Sequence, residues 1–241
     1  MNYTTKKGVI KMIISIINQK GGVGKTTTAV SLASRFAKME CKTLLVDLDP
    51  QANATISFGI NSPYEPFKRV KFSDYLDLMP SSKKLSFLDI PDNHVKNLLK
   101  EANDEFILID CPPVLNNLSV NAITAADFLI IPILSGDHFS LVGLKDIFGT
   151  VESINKSCGY KILLTNVNER LSITKHFINM LIQAVGEEKI FKSIIRIDSK
   201  LKEAPFASVA IDAYDVNSKG SIDYGDLALE IINIKKELIR G

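Results

Sequence analysis

Two lysines five positions apart, Lys20 and Lys25, enclose Gly21-Gly22-Val23-Gly24, and the hydroxyls of Thr26 and Thr27 follow directly. Glycines at this spacing let the backbone turn tightly and bring several N–H groups onto one point, an arrangement that holds phosphate oxygens. Lys25 adds a cation able to reach terminal phosphates, and Thr26 a hydroxyl suited to Mg²⁺. Three acids complete the set. Asp47 and Asp49 close the run Lys42-Thr-Leu-Leu-Val, and Asp110 closes Phe106-Ile-Leu-Ile. An aspartate ending a buried strand beside a phosphate loop is placed to hold Mg²⁺ or its water shell.

The elements that must position these groups are visible in the hydrophobic pattern. Met12-Ile-Ile-Ser-Ile-Ile17 reads as a strand, and Ala29, Leu32, Ala33, Phe36 and Ala37 recur at helix spacing after the loop. Strand, glycine-rich turn and helix in succession are the context a P-loop requires. Further strands are expected at 42–47, 106–110, 128–134 and 161–166. Helices are expected at 117–126, 139–154 and 172–185, with a last one opening at Ser221 or Asp223. Apolar runs without a polar face, alternating with helices, predict an α/β fold: a mostly parallel twisted sheet with helices on both faces. Ligands of such sheets gather at the carboxyl ends of the strands, which puts Asp47 and Asp49 beside the phosphates. Residues 53–103 carry weaker signals. They predict a turn-rich break at Asn61–Pro66, a short helix over Phe72–Leu78 and a strand over Leu85–Ile90. A helix capped by Asp92 and running to about Ala102 follows, and Ile190–Ile195 forms one more short apolar run.

With 241 residues and 46% hydrophobic content, the chain can bury a substantial core. No Pro/Gly/Ser-rich linker divides it, which predicts a polar tail over 1–11 and a single domain over 12–241. Cys41, Cys111 and Cys158 lack metal-ligand or disulfide spacing, and the start of the chain lacks a signal-peptide core, so a cytoplasmic protein is expected. The formal charge of +2 is mild, but residues 156–202 hold nine basic side chains against four acidic, a local excess of five. Such a patch could neutralise DNA phosphates.

The loop Lys20-Gly-Gly-Val-Gly-Lys-Thr-Thr27 has Gln19 where the ordinary motif has glycine, and an additional lysine at 20. It resembles the deviant Walker A loop of the ParA/MinD superfamily of ATPases. Val46-Asp-Leu-Asp-Pro-Gln-Ala-Asn-Ala-Thr55, Ile109-Asp-Cys-Pro-Pro113, Leu201-Lys-Glu-Ala-Pro205 and the stretch from Tyr214 to Glu230 narrow the resemblance to the ParA/Soj partition branch. The resemblance implies ATP and Mg²⁺ as ligands, slow hydrolysis, and a homodimer formed on ATP. Gly21, Gly22, Val23, Gly24, Lys25, Thr26 and Thr27 would cradle the phosphates. Thr26 and Asp110 would serve Mg²⁺, Asp49 would position the attacking water, and Asp47 would lie near the metal. Lys20 would cross to the partner's nucleotide. Asn166 and Asp198 are the remaining candidates for nucleotide contact.

The resemblance further implies non-specific DNA binding without an N-terminal DNA-reading domain, a ParB-like activator, and nucleoid association. Lys192, Arg196, Lys200 and Lys219 are the candidate DNA contacts. Relatives often carry Pro-Arg-Asn where this chain has Arg196-Ile197-Asp198, so the base contacts depart from the pattern. Two alternatives share the same loop: a positioning ATPase whose cargo is not DNA, and a MinD-like membrane-associated ATPase using the basic, faintly amphipathic end of the last helix. No membrane contact is expected.

Overall fold

The computed structural model describes residues 10–60 and 65–240. In chain order these form β1 (Met12–Ile16), α1 (Lys25–Lys38), β2 (Thr43–Asp47), α2 (Asn53–Ile56), β3 (Val70–Lys71), β4 (Leu76–Met79) and α3 (His94–Leu98). Then come β5 (Phe106–Asp110), α4 (Asn117–Ala125), β6 (Phe128–Leu134), α5 (His138–Ile154), β7 (Gly159–Thr165), α6 (Ser172–Val185), α7 (Lys200–Glu203), α8 (Ile211–Tyr214) and α9 (Lys219–Arg240). The described strands make one sheet in the order β3-β4-β2-β5-β1-β6-β7. Every neighbouring pair is parallel except β3 with β4.

Alternation along the strands divides the core in two. Met12, Ile14 and Ile16 of β1 join Phe106 and Leu108 of β5 beneath α1 and α9. Ile13, Ile107, Ile109, Leu129 and Ile131 point the other way, toward Val95, Leu144 and Phe177. Each fully buried aliphatic side chain contributes ~1.5–3 kcal/mol. Phe36 of α1 stacks on Phe106 at 4.0 Å between ring centroids, fixing the helix across the central strands. Tyr224 of α9, fully buried, bonds the hydroxyl of Thr28 at 3.1 Å. α1 thereby sits between the sheet and the last helix, and the phosphate loop enters it from a rigid strand.

The middle of the chain differs from expectation. Over 72–78 the protein forms a turn leading into β4 rather than a helix. Ser73 Oγ accepts the N–H of Leu76 at 3.0 Å, making a turn, and Leu76 and Leu78 then bury on alternate positions. The strand expected over 85–90 is a 3₁₀ turn at Lys83–Phe87. Leu85 is buried there while Phe87 is 86% exposed, so no second apolar face exists for a strand to bury. Asp92 does not cap a helix; its carboxylate accepts from Asn117 Nδ2 at 3.2 Å, and α3 ends at Leu98.

Lys11, expected in a tail, is anchored. Its ammonium donates to the carbonyls of Leu99 and Lys100 at 2.7 and 3.0 Å, closing the C-terminal end of α3. The rest of that tail up to residue 9, and residues 61–64 of the turn-rich break, lie outside the described residues. Ile190–Ile195 runs beside β7 through Phe191 N–H to Ile162 O and Ile195 N–H to Leu164 O, each at 2.9 Å. The last helix starts at Lys219, ahead of the expected Ser221 or Asp223. Asp198 takes the Gly220 N–H at 2.8 Å and Ser218 Oγ that of Ser221 at 3.1 Å, which satisfies the first turn.

Candidate functional site

The phosphate loop joins β1 to α1 at the carboxyl edge of the sheet. Gly24 stands at the N-cap of α1 with φ +94°, a left-handed conformation that glycine adopts without strain. Buried side chains tie the loop down. Asn18 donates from Nδ2 to Pro132 O at 2.8 Å and accepts the Lys20 N–H at 2.9 Å. Thr165 Oγ1, at the end of β7, lies 2.9 Å from Val23 O and 3.0 Å from Ile133 O. The loop therefore holds its shape through neighbours on β6 and β7.

The loop forms one end of a cavity of about 780 Å³. Gly21, Gly22, Val23, Gly24, Lys25, Thr26 and Thr27 line it, together with Asp49, Asn166, Arg196 and Asp198. Its lining also includes the apolar Ile195, Leu201, Pro205, Val209 and Ile211. A glycine-rich loop and apolar side chains lining one cavity suit a ligand with an anionic tail and a flat, weakly polar head.

Lys25 is 7% exposed, and its ammonium donates to Lys20 O at 2.9 Å. Burial pushes its pKa below the usual lysine value, with the Asp110 charge opposing. A buried cation at a helix N-terminus is a strong attractor for an anion. Asp110 is fully buried beneath the loop, and its Oδ2 accepts from Thr26 Oγ1 at 2.8 Å. Its Oδ1 is buried without a hydrogen-bond partner among the described residues. Burial, and then the neighbouring Asp47, hold its carboxyl well above the ordinary carboxylate range. An orphaned carboxylate oxygen beside a hydroxyl fits a hard cation. No cluster of three His, Cys, Asp or Glu able to hold a metal occurs among the described residues, so Mg²⁺ here would need phosphate and water oxygens to complete its shell.

Asp47 and Asp110 face each other in register on β2 and β5. Asp47 does not line the cavity: it lies behind it, 3% exposed, accepting from Thr55 N at 2.9 Å, Thr55 Oγ1 at 2.7 Å and Asp49 N at 3.1 Å. Burial raises its pKa to about 6, against those hydrogen bonds. Asp49 does line the cavity, and its Oδ1 accepts the Gln51 N–H at 2.9 Å. Lys20 is on the exposed side of the loop, where its ammonium pairs with Asp137. Asn166 follows β7 with φ +55°. Asp198 lines the cavity, yet its two oxygens accept from Lys200 N at 2.9 Å and Gly220 N at 2.8 Å.

The candidate DNA residues divide into two pairs. Arg196 bonds Asp223, itself 5% exposed, through Nε at 2.9 Å and Nη2 at 2.5 Å, and Lys200 pairs with Glu203 at 2.8 Å. Lys192 and Lys219 are exposed and make no ion pair among the described residues. Within the same segment Lys161 donates to Glu188 O at 2.6 Å, and Lys189 sits 4.6 Å from the Tyr160 ring centroid. Folding thus consumes several of the cations that the sequence count leaves free. Sequence reasoning missed Thr165, Asn18, Asp137, Thr55 and Ser81, whose single hydroxyl, amide or carboxyl groups belong to no recognisable spacing.

Fold and site together define a P-loop nucleotide-binding protein, its loop carrying a second lysine. Comparison with known proteins narrows the class. A family model described as an AAA domain matches residues 11–69 and 68–173. The chain is 34% identical over 249 residues to the sporulation initiation inhibitor protein Soj of Bacillus subtilis, covering 91% of this chain and 97% of that one. It is 32% identical to the chromosome partitioning protein ParA of Myxococcus xanthus, covering 91% and 87%. Among solved structures, a putative plasmid partition protein from Borrelia burgdorferi B31, bound to AMPPNP, superposes with a TM-score of 0.77 at 26% identity, covering 93% of this chain and 99% of that one. The chain belongs to the ParA/Soj family of P-loop ATPases.

Proposed function

We propose that this protein is a nucleotide-operated switch that binds ATP with Mg²⁺, dimerises on it, holds DNA without reading sequence, and lets go when ATP is hydrolysed. The observation that carries this reading is the division of labour between two lysines of one loop: Lys25 is buried under the phosphate position, while Lys20 faces outward. An outward cation that exchanges its Asp137 partner could serve a neighbouring site, as an arginine finger supplied in trans does elsewhere. The Borrelia plasmid partition protein bound to AMPPNP, and the partition roles in the names of the Soj and ParA relatives, support the same reading.

In this scheme the loop N–H groups and Lys25 hold the β- and γ-phosphates, and Thr26 and Asp110 hold Mg²⁺. When bound, the ion neutralises charge that develops on the phosphate oxygens. Asp49 positions the attacking water, and Asp47 fixes the backbone that carries Asp49. Ile195, Leu201 and Val209 flank the base. Asp198, already accepting two backbone N–H groups, serves first to fix the start of α9 and only secondarily to meet the base. Dimerisation doubles the surface that presents Lys192 and Lys219 to DNA, and multivalency makes retention depend on ATP. A ParB-like protein would accelerate turnover, and the protein would work in the cytoplasm on the nucleoid.

A second reading keeps the switch and replaces DNA by a protein cargo. The pairing of Arg196 with Asp223 and of Lys200 with Glu203 favours it, because it thins the basic surface. Membrane attachment has less support. No described helix is long and apolar enough to cross a membrane, and Tyr224, Leu227, Ala228 and Ile231 of α9 are buried in the core. Filter retention of mixed-sequence DNA at low salt separates the two readings. Retention with ATP that falls with ADP and with added salt supports DNA as cargo; equal absence of retention with ATP and ADP supports the protein cargo.

A further inference from the structure

Asp49 stands in a closed ring of buried hydrogen bonds that includes two residues with no part in phosphate or metal binding. Asp49 N–H donates to Asp47 Oδ1 at 3.1 Å, and Ser81 Oγ donates to Asp49 O at 2.6 Å. Ser81 N–H donates to Thr55 Oγ1 at 2.9 Å, and that hydroxyl donates to Asp47 Oδ2 at 2.7 Å. The ring closes on itself, and its four members are between 2 and 7% exposed. The Asp49 N–H is therefore held by β2's terminal acid, and the Asp49 carbonyl by Ser81, which follows β4, together with the Ala52 N–H at 2.8 Å.

We propose that Ser81 and Thr55 are positioning residues for Asp49, fixing the backbone from which its carboxylate enters the cavity. This rests on the reading of Asp49 as the residue that orients the attacking water. The chemistry of the ring argues for positioning rather than packing. Thr55 Oγ1 both donates and accepts, so an apolar replacement there leaves the buried Ser81 N–H without its acceptor, while removal of Ser81 Oγ takes from Asp49 O one of two donors, the other being the Ala52 N–H at 2.8 Å. Ser81 also lies just beyond the β3–β4 pair, the antiparallel edge of the sheet, so the ring makes that edge part of the hydrolytic apparatus. Displacement of a reacting group by ~1 Å can cost ~100-fold in rate, which makes such backbone anchoring consequential.

Single-turnover ATP hydrolysis with Mg²⁺, affinity for a non-hydrolysable ATP analogue, and thermal unfolding are to be measured on the full chain carrying Ser81→Ala, Thr55→Val, Thr55→Ser or Asp49→Ala. We expect Ser81→Ala and Thr55→Val to lower the turnover rate ~10-fold or more while the analogue Kd stays within ~2-fold. Thr55→Ser, which keeps the hydroxyl, is expected to retain turnover. If Thr55→Val unfolds, Ser81→Ala, which removes one oxygen atom, carries the same comparison. An inactive Asp49→Ala beside fully active Ser81→Ala and Thr55→Val overturns the ring's role alone. The same role is overturned if Thr55→Ser falls as far as Thr55→Val, or if Kd weakens in step with the rate. Retained turnover in Asp49→Ala overturns the reading of Asp49 and this inference with it.

Discussion

The ammonium of Lys20 is paired with the carboxylate of Asp137, 117 positions further along the chain, at the turn that follows β6. In a single protomer, then, the outward lysine of the phosphate loop is held by its own chain. To reach a neighbour's nucleotide it must exchange that partner. Partly exposed ion pairs contribute ~0.2–1 kcal/mol. Because one such pair is released in each protomer, we expect Asp137→Asn to tighten ATP-dependent self-association ~2- to 30-fold, measured by sedimentation equilibrium. Lys20→Ala should remove the association while leaving ATP binding largely intact.

Thr26 Oγ1 and Asp110 Oδ2, with Asp110 Oδ1 unpartnered among the described residues, form the proposed Mg²⁺ site. Asp110→Asn replaces one of its anionic oxygens by an amide donor, which should raise the Mg²⁺ concentration needed for turnover ~10-fold or more. A Mg²⁺ titration of ATPase rate at saturating ATP checks this. Nucleotide affinity in chelator should change little.

Asp47 gives the metal-free protein a pH dependence of defined sign. Its folded pKa is about 6 against an ordinary 3.8, so between those values the folded chain keeps a proton that the unfolded chain has released. Stability from this group is present below the lower value and is lost as pH rises through the upper one. Urea unfolding in chelator should show a steeper fall in stability from pH 4 to pH 6.5 for the wild-type chain than for Asp47→Asn. Equal slopes would mean that Asp47 is not the titrating group.

Arg196 and the pair Lys192 and Lys219 should behave oppositely. Arg196→Ala takes the guanidinium from the buried Asp223 carboxylate, leaving it the backbone N–H of residue 196, and should cost ~1–3 kcal/mol of stability, read by denaturant unfolding. The double variant Lys192→Ala/Lys219→Ala should leave the unfolding midpoint unchanged. It should weaken DNA retention with ATP and reduce its salt dependence by about one unit of slope per lost contact in each protomer.

The parts of the molecule legible in the sequence are those where local pattern and tertiary environment agree. β1, β2, β5 and β6 are apolar runs buried on both faces, β7 is so from Ile162 onward, and the loop from Lys20 to Thr27 is a dense, ordered motif. β4 was misread because Leu76-Asp-Leu-Met is too short to separate a period of two from one of 3.6. The turn at Ser73 decided the matter through a side-chain hydrogen bond. Leu85 and Phe87 alternate in sequence, but no second layer covers Phe87. Asp92 and Asp223 look like helix caps, and each is taken by a residue distant in sequence, Asn117 and Arg196. The same reason hides Ser81: its role exists only once β4 lies beside β2. Charge counting overstated the basic surface because it cannot see which lysines and arginines find partners on folding.

In the proposed switch ATP, and not ADP, joins two copies of this chain. Light-scattering mass of Asp49→Ala with Mg²⁺ tests it most directly, because that substitution should block turnover and preserve the bound state. A monomer mass is expected without nucleotide and with ADP, twice that mass with ATP, and a return to monomer on adding Lys20→Ala. A mass that is the same with ATP and ADP, whether monomer or dimer, would contradict it.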